Sequence, residues 1–241
     1  MAMPTDVAQY NAELYDRLWV HAHFHSPEWT PWWPLMKDFC DQARDRLEIG
    51  PGPWPRLAVA GTHVVDLSRA ALALLEPRGA IVHHGRLDQV GFPDRAFDLV
   101  GLFEVLEHVR DDGAFLREVA RIVRPGGRLV VSVPLKMQLW TVFDGFAGHE
   151  RRYEPDELRE KLARAGFEID CFETRTAVTS KLGGRIFAFV CRVFPRFALW
   201  VTERLMFPAL ARMRLSWTPA TQWDQRMGNA AECTVVCRRL L

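Results

Sequence analysis

The chain has 241 residues, 49% hydrophobic and 25% charged, enough for one large domain that buries most of its apolar surface. Its 31 basic and 30 acidic residues leave a net charge of +1, which gives no case for a nucleic-acid partner. Five cysteines, Cys40, Cys171, Cys191, Cys233 and Cys237, form no CxxC pair. Neither a disulfide framework nor a zinc site is expected, and a reducing cytoplasm is the simplest setting.

In chain order, Met1 to Tyr10 has no basic stretch leading into an apolar core, so no signal peptide is expected. Residues 1–45 are aromatic, Pro-punctuated and partly helical by pattern, with Trp19, Trp29, Trp32 and Trp33 crowded together. Short apolar runs then alternate with helical patterns. The runs are Leu47-Glu48-Ile49-Gly50, His63–Asp66, Ala80–His83, Phe97–Leu102 and Arg128–Val133, the last ended by Pro134. A helix is expected after Asp111 and Asp112, which can cap it; Phe115, Leu116, Val119, Ile122 and Val123 share its apolar face. Pro125-Gly126-Gly127 ends it. A second helix spans 155–165, with Pro155 in its first turn and Gly166 at its end. Phe167–Thr176 reads as a strand and Glu232–Arg238 as the last one. Between them, 178–230 is an apolar insertion studded with arginine. Strands alternating with helices predict a doubly wound, mostly parallel sheet.

Glu48-Ile49-Gly50-Pro51-Gly52 ends the first strand, where a glycine turn lets backbone approach a ligand closely. Asp66 ends the second strand, where a carboxylate can accept both hydrogen bonds of a ribose diol. This pair fits a nicotinamide dinucleotide equally well. Three further segments separate the alternatives: Phe92-Pro93-Asp94-Arg95-Ala96-Phe97-Asp98-Leu99-Val100, Phe103-Glu104-Val105-Leu106-Glu107-His108-Val109 and Arg124-Pro125-Gly126-Gly127. With them the chain resembles the class I S-adenosylmethionine-dependent methyltransferases of the small-molecule type, from about Leu47 to Phe167.

The resemblance implies an α/β Rossmann-like sheet of seven strands, the last antiparallel, with an N-terminal helical lid and a helical insertion before the last strand. It divides the chain into a lid and substrate segment at 1–45, a cofactor domain at 46–177 and 231–241, and an insertion at 178–230. It implies S-adenosylmethionine as cofactor. Gly50 and Gly52 would pass under its methionine part, with Glu48 supporting the turn. Asp66 would hold the ribose, and Leu67, Arg86 and Leu87 would meet the adenine. Phe103 and Glu104 would line the methyl-transfer channel. Two departures stand out. Arg86 occupies the position where the family usually carries an Asp, with Asp88 nearby. Pro53 and Pro55 follow the glycines directly, so the first crossover helix is expected to be only one or two turns.

In Gly148-His149-Glu150-Arg151-Arg152-Tyr153, His149 is the candidate general base, and Arg151 or Arg152 can hold an acidic group on the acceptor. His108 reads as architecture and Glu107 as a helix-start carboxylate. His21, His23 and His25 would share a face on a strand, but no carboxylate or cysteine cluster lies near them in sequence, so no metal is expected. They are read as part of the lid. Tyr15, Trp19, Trp140, Arg152 and Tyr153 are the candidate substrate contacts. Only Trp54 of the nine tryptophans falls within 46–134, so the remainder marks the expected acceptor pocket. On a helical wheel of the insertion, Arg185, Arg192 and Arg196 lie opposite Ile186, Val190, Val193, Phe194 and Phe197, with Pro195 dividing it into two segments. It can cap a substrate pocket or join two subunits as a homodimer; a membrane surface is the less favoured role. The expected function is cytoplasmic methyl transfer to oxygen or nitrogen of a small apolar or aromatic metabolite. The alternatives are a membrane-embedded quinone or lipid acceptor, and a non-catalytic cofactor-binding regulatory protein.

Overall fold

The computed structural model describes residues 7–176 and 181–241. The expected boundary between 177 and 178 lies outside them. The N-terminal segment forms α1 (Val7–Trp19) and α2 (Trp33–Gln42). There follow β1 (Arg46–Ile49), β2 (Thr62–Asp66), α3 (Arg69–Leu75), β3 (Ile81–His84), α4 (Leu87–Val90), β4 (Phe97–Phe103), α5 (Asp112–Ile122) and β5 (Val123–Pro134). The second half holds α6 (Val142–Ala147), α7 (Pro155–Arg164), β6 (Phe167–Arg175), α8 (Lys181–Val193), α9 (Pro195–Val201), α10 (Phe207–Ala211), β7 (Thr218–Pro219), α11 (Trp223–Arg226) and β8 (Glu232–Arg239).

The sheet runs β3-β2-β1-β4-β5-β8-β6-β7. Its first five strands pair in parallel, and β8 inserts antiparallel between β5 and β6. The expected seven strands are joined by an eighth, the two-residue β7, which comes from within the insertion and pairs with Cys171 and Phe172. Pro125-Gly126-Gly127 does not separate α5 from its strand. Pairing starts at Val123 opposite Phe97, and an irregularity absorbs the Pro-Gly-Gly before Arg128 meets Leu99. Asp111 caps α5 by accepting the Ala114 amide, 2.8 Å away. Asp112 turns inward instead and pairs with Arg151, Lys161 and the Tyr153 hydroxyl.

The crossover from β1 to β2 contains no helix. Pro53 and Pro55 cannot sit inside one, and the chain follows turns from Gly50 to Gly61. Buried Glu48 holds this loop, accepting the amides of Arg56 (2.8 Å) and Leu57 (3.0 Å). The sheet face left bare is covered by α2, whose Met36 and Cys40 pack with Leu57, Leu99, Phe103, Val130 and Val236. The opposite face buries a larger core, including Leu47, Val100, Leu116, Val119, Leu158, Phe167 and Phe172.

Replacing Glu48 strands two backbone amides that water reaches poorly. Glu48→Ala should destabilise the fold by about 2–4 kcal/mol, read as a lower urea midpoint at unchanged m-value. A midpoint within error of wild type would show that the loop holds itself.

Candidate active site

Ligands of open α/β sheets bind beyond the carboxyl ends of the strands, and a cavity of about 2290 Å³ opens there. Gly50 and Gly52 line it with φ of +65° and +57°, the left-handed region that glycine adopts without strain. A Cβ on Gly50 would meet Val105 at 2.8 Å. Asp66 accepts the Gly52 amide at 3.0 Å and the Ser68 amide at 2.8 Å, so it ties the glycine turn to the start of α3. Burial pushes its carboxyl up to about 6 against those donors, and burial pushes Glu48 up to about 7. Glu48, Leu67, Arg86, Leu87, Phe103 and Glu104 also line the cavity. Arg86 is paired with Asp88 through two hydrogen bonds, at 3.0 and 3.1 Å.

Helix α1 closes the cavity from above. Val7, Asn11, Leu14 and Leu18 form its buried stripe. Asp16 accepts from the Ser68 hydroxyl and the Ala70 amide at the start of α3, while Tyr10 and Tyr15 donate to the carbonyls of Phe146 and Ala147. Tyr15 stacks on Trp19, Trp19 meets Trp54 edge-on, and Trp54 meets Phe207. The histidine run forms no strand. Glu203, from the π-helical segment Thr202–Met206 that continues α9, accepts both the His23 amide (2.7 Å) and a His23 Nδ1 hydrogen bond (2.8 Å). The carboxylate missing from the neighbouring sequence therefore arrives from 180 residues away, and it fastens the lid to the insertion.

The 148–153 segment divides by role. Arg151 and Tyr153 bind Asp112, and the buried Tyr153 hydroxyl also donates to the Leu106 carbonyl. Arg152 grips Asp144 at 2.7 and 3.0 Å. Asp144 also accepts His149 Nδ1 (3.0 Å) and the Thr141 amide and hydroxyl. Burial raises its carboxyl, but these donors outweigh burial and hold it well below the usual range.

Below them sits Glu107. It is fully buried, and neither carboxylate oxygen accepts a hydrogen bond among the described residues. It is therefore not a solvated helix-start carboxylate. Burial and the charges of Glu104, Glu232 and Asp144 push its carboxyl up. Nε2 of His149 lies 3.9 Å from Oε1, and Nε2 of His108 lies 4.0 Å from it. Burial, reinforced by His149, pushes His108 down to about 3.

Of the sequence candidates, Tyr15, Trp19, His149, Arg152 and all the cofactor candidates line the cavity. Trp140 and Tyr153 do not; the Tyr153 ring is core and its hydroxyl is taken. Five of the nine tryptophans, Trp19, Trp29, Trp32, Trp54 and Trp200, line it. Sequence reading missed Arg56, Arg175 and Glu232 on the same wall. Arg56 lies over the Trp32 ring at 4.3 Å, Arg175 lies over it at 4.8 Å, and Arg175 pairs with Glu232 at 2.5 Å. No spacing signals that meeting, because it joins the β1–β2 loop to β6 and β8.

A family described as a methyltransferase domain matches residues 21–171, well over half of the chain. A Mycolicibacterium smegmatis protein described as a "Probable S-adenosylmethionine-dependent methyltransferase" is 31% identical over 142 residues, covering 53% of this chain and 53% of its own. A demethylmenaquinone methyltransferase of Mycobacterium marinum is 36% identical over 117 residues, covering 42% of this chain and 51% of its own. The chain spans about half the length of the curated relatives it matches. In fold, the [4+2]-cyclase SpnF superimposes with a TM-score of 0.61 at 17% identity, covering 100% of both chains.

Because the Asp144 carboxyl is held low in the fold, its contribution to stability is present above the ordinary Asp range and is lost as pH falls. Asp144→Asn should lower the urea midpoint at pH 7, and its deficit against wild type should shrink below about pH 4. A deficit that stays constant to pH 3 would show that the charge of Asp144 contributes nothing.

Proposed function

This chain belongs to the methyltransferase-domain family, and on that premise we propose that it transfers the S-adenosylmethionine methyl group to an apolar small molecule. One observation carries the reading: a cavity joins the Gly50–Gly52–Asp66 edge of the sheet to an aromatic chamber walled by Tyr15, Trp19, Trp54, Phe143, Phe187 and Phe197. Its volume exceeds what one drug-sized ligand needs, so two molecules can lie in it side by side.

The residues at the sheet edge fit the cofactor. Asp66 is a buried acceptor on the wall, and a carboxylate has about four lone-pair sites, more than its amide partners occupy. Asp66 would take the ribose hydroxyls, and the left-handed glycine turn would bring backbone close to the methionine part. Leu67 and Leu87 supply apolar wall for the adenine. Arg86, engaged by Asp88, stands at that rim. The bound cofactor supplies a methyl group on a sulfonium, already activated, so in-line displacement asks the protein mainly for proximity and alignment.

The chain's residues would provide that alignment. Phe103 and Glu104 line the cavity at the end of β4 and would border the methyl-transfer channel. Glu104 is held in a left-handed conformation (φ +57°), and its carboxylate accepts the Ser132 hydroxyl at 2.6 Å, which fixes where it points. Tyr15 and Trp19 exclude water from above, and Arg152 is immobilised by Asp144 on the wall. A free general base needs a nitrogen open to the acceptor. His149 donates Nδ1–H to Asp144, which leaves Nε2 as the lone-pair nitrogen on the cavity wall, 3.9 Å from Glu107, the arrangement by which His149 would act as the general base.

Asp66→Ala should weaken S-adenosylhomocysteine binding by about 1–3 kcal/mol in titration calorimetry; unchanged affinity would displace the cofactor from this edge. Saturable binding without turnover on any of a panel of phenols, quinols and amines would instead make the chain a cofactor-binding regulatory protein.

A second reading places the acceptor in a bilayer, as a quinone or lipid. No described helix is long and apolar enough to cross a membrane. The observation favouring this reading is the outer surface of the insertion. Gly184, Ala188 and Cys191 pack inward, and the close approach of Gly184 to Thr141 lets α8 lie against α6. The large side chains are left outside: Ile186, Phe189, Phe194 and Phe197 are each more than half exposed. Ile186, Phe197 and Trp200 also line the cavity, so the apolar surface runs into its mouth. Seven basic residues against one acid between Lys181 and Arg214 suit an anionic lipid surface better than a second copy of the same face. The named M. marinum relative acts on a quinone by its description, in line with this reading. The protein should float with phosphatidylglycerol vesicles, and a Phe189→Ser, Phe197→Ser double variant should not; a wild type that stays at the bottom of the gradient removes the second reading.

A further inference from the structure

We propose that Glu107, His108 and His149 bind a divalent transition-metal cation on the wall of the cavity, through the Glu107 carboxylate and one nitrogen from each imidazole. The ligand atoms of the three residues lie within 4.8 Å of one another. Both Nε2 atoms stand about equally far from Glu107 Oε1, at 3.9 and 4.0 Å. That is too long for a hydrogen bond. A modest contraction would bring all three atoms to the ~2.0–2.2 Å at which imidazole nitrogen and carboxylate oxygen hold zinc.

Each imidazole is presented as a ligand. Nδ1 of His149 faces the Asp144 carboxylate at 3.0 Å, and Nδ1 of His108 faces the Gly148 carbonyl at 3.1 Å. Both partners only accept, so both protons belong on Nδ1, and the Nε2 lone pairs are left toward Glu107. Asn11 Nδ2 lies 3.2 Å from the same His108 Nδ1 while Asn11 Oδ1 is buried without a partner among the described residues; interchanging the two amide atoms lets the oxygen accept that proton and satisfies both groups. Imidazoles that donate one nitrogen to a carboxylate or carbonyl while offering the other are the usual supports of metal-binding histidines.

The carboxylate makes the stronger demand. Glu107 is fully buried, and neither of its oxygens has a hydrogen-bond partner among the described residues. A buried ionised carboxylate is costly unless paired or coordinated. Arg152, the cation on the adjoining wall, is engaged by Asp144. Glu104, Glu232 and Asp144 add negative charge around it, although Arg175 and Arg152 already pair with the last two, so a cation suits Glu107 better than an anion. Two nitrogens and one oxygen favour Mn²⁺, Fe²⁺, Co²⁺ or Zn²⁺ over Mg²⁺ and Ca²⁺, which prefer all-oxygen sets. His108 and His149 line the cavity whereas Glu107 lies behind them, so remaining coordination positions face the chamber. An acceptor oxygen entering there would lose its proton more readily beside the cation. That catalytic role rests on the methyl-transfer reading; cation binding does not.

Titration of the full chain with Co²⁺, after chelation and desalting, tests the site. One equivalent should bind, with visible absorption of nitrogen and oxygen ligation and a higher melting temperature. Glu107→Gln and His149→Gln should each weaken Co²⁺ affinity at least tenfold, whereas His23→Ala and His63→Ala should leave it unchanged. In wild-type protein, where no variant need fold, Co²⁺ should shift the ring protons of His108 and His149. The proposal is overturned if no Co²⁺ binds, if Glu107→Gln folds and binds normally, or if the shifted rings are those of His21, His23 and His25. S-adenosylhomocysteine binding measured alongside keeps failure of this site distinct from failure of the cofactor reading.

Discussion

The Glu48 carboxylate, buried at the sheet edge, holds the amides of Arg56 and Leu57, and the proline-rich loop between them and Gly50 has the single turn from the Trp54 amide to the Pro51 carbonyl in place of a helix. In a βαβ unit a helix ordinarily covers the sheet beside the glycine turn. Here that place is vacated, and α2 from the N-terminal segment fills it through Met36 and Cys40. Once α2 is fixed on the sheet, the 20–32 stretch must pass over the cavity to reach it. The lid is thus a consequence of the missing helix. Trp19 over Gly52, Trp54 against Trp19, and Arg56 against Trp32 all depend on that one loop.

A second constraint runs through the buried charges. Asp112 and Asp144 are each surrounded by donors: Arg151, Lys161 and Tyr153 for the first, His149, Arg152 and Thr141 for the second. These pairs fix the 148–153 segment against α5 and α6 with little freedom. Glu107, a few residues from Asp112, has none of this company. The contrast between satisfied carboxylates and an unsatisfied one in the same wall is what separates architecture from a binding group.

The glycine edge of the sheet was the most legible part of the sequence, because its signals are local. A glycine turn, an acid at the next strand end and a helix cap each act over a few residues. Gly50, Gly52, Asp66 and Asp111 accordingly stand where their spacing puts them. What the sequence could not display is pairing at a distance. Asp112 looks like a cap by position, but Arg151, Lys161 and Tyr153 draw it inward. The histidine run looks unaccompanied until Glu203 reaches it. Tyr153 reads as an aromatic contact beside two arginines, yet its hydroxyl is captured by Asp112. The tryptophan excess pointed to the cavity for Trp19, Trp29, Trp32 and Trp200. It failed for Trp33, Trp140, Trp217 and Trp223, none of which lines the cavity; Trp223 packs on Phe172 in the core. Composition locates aromatic mass without saying which side of the sheet takes it.

The insertion shows the same limit on a helical wheel. Its apolar stripe predicts an inward face, yet the fully buried residues of α8 are the small ones, with Phe187 beside them against Phe143. Gly184, Ala188 and Cys191 allow close helix packing, and a stripe of Phe and Ile in their place would hold α8 away from α6. Large side chains left outside are costly to hydrate, so this surface is not explained by folding alone. Its continuity with Ile186, Phe197 and Trp200, which are exposed and also line the cavity, makes the patch and that part of the cavity wall one apolar surface.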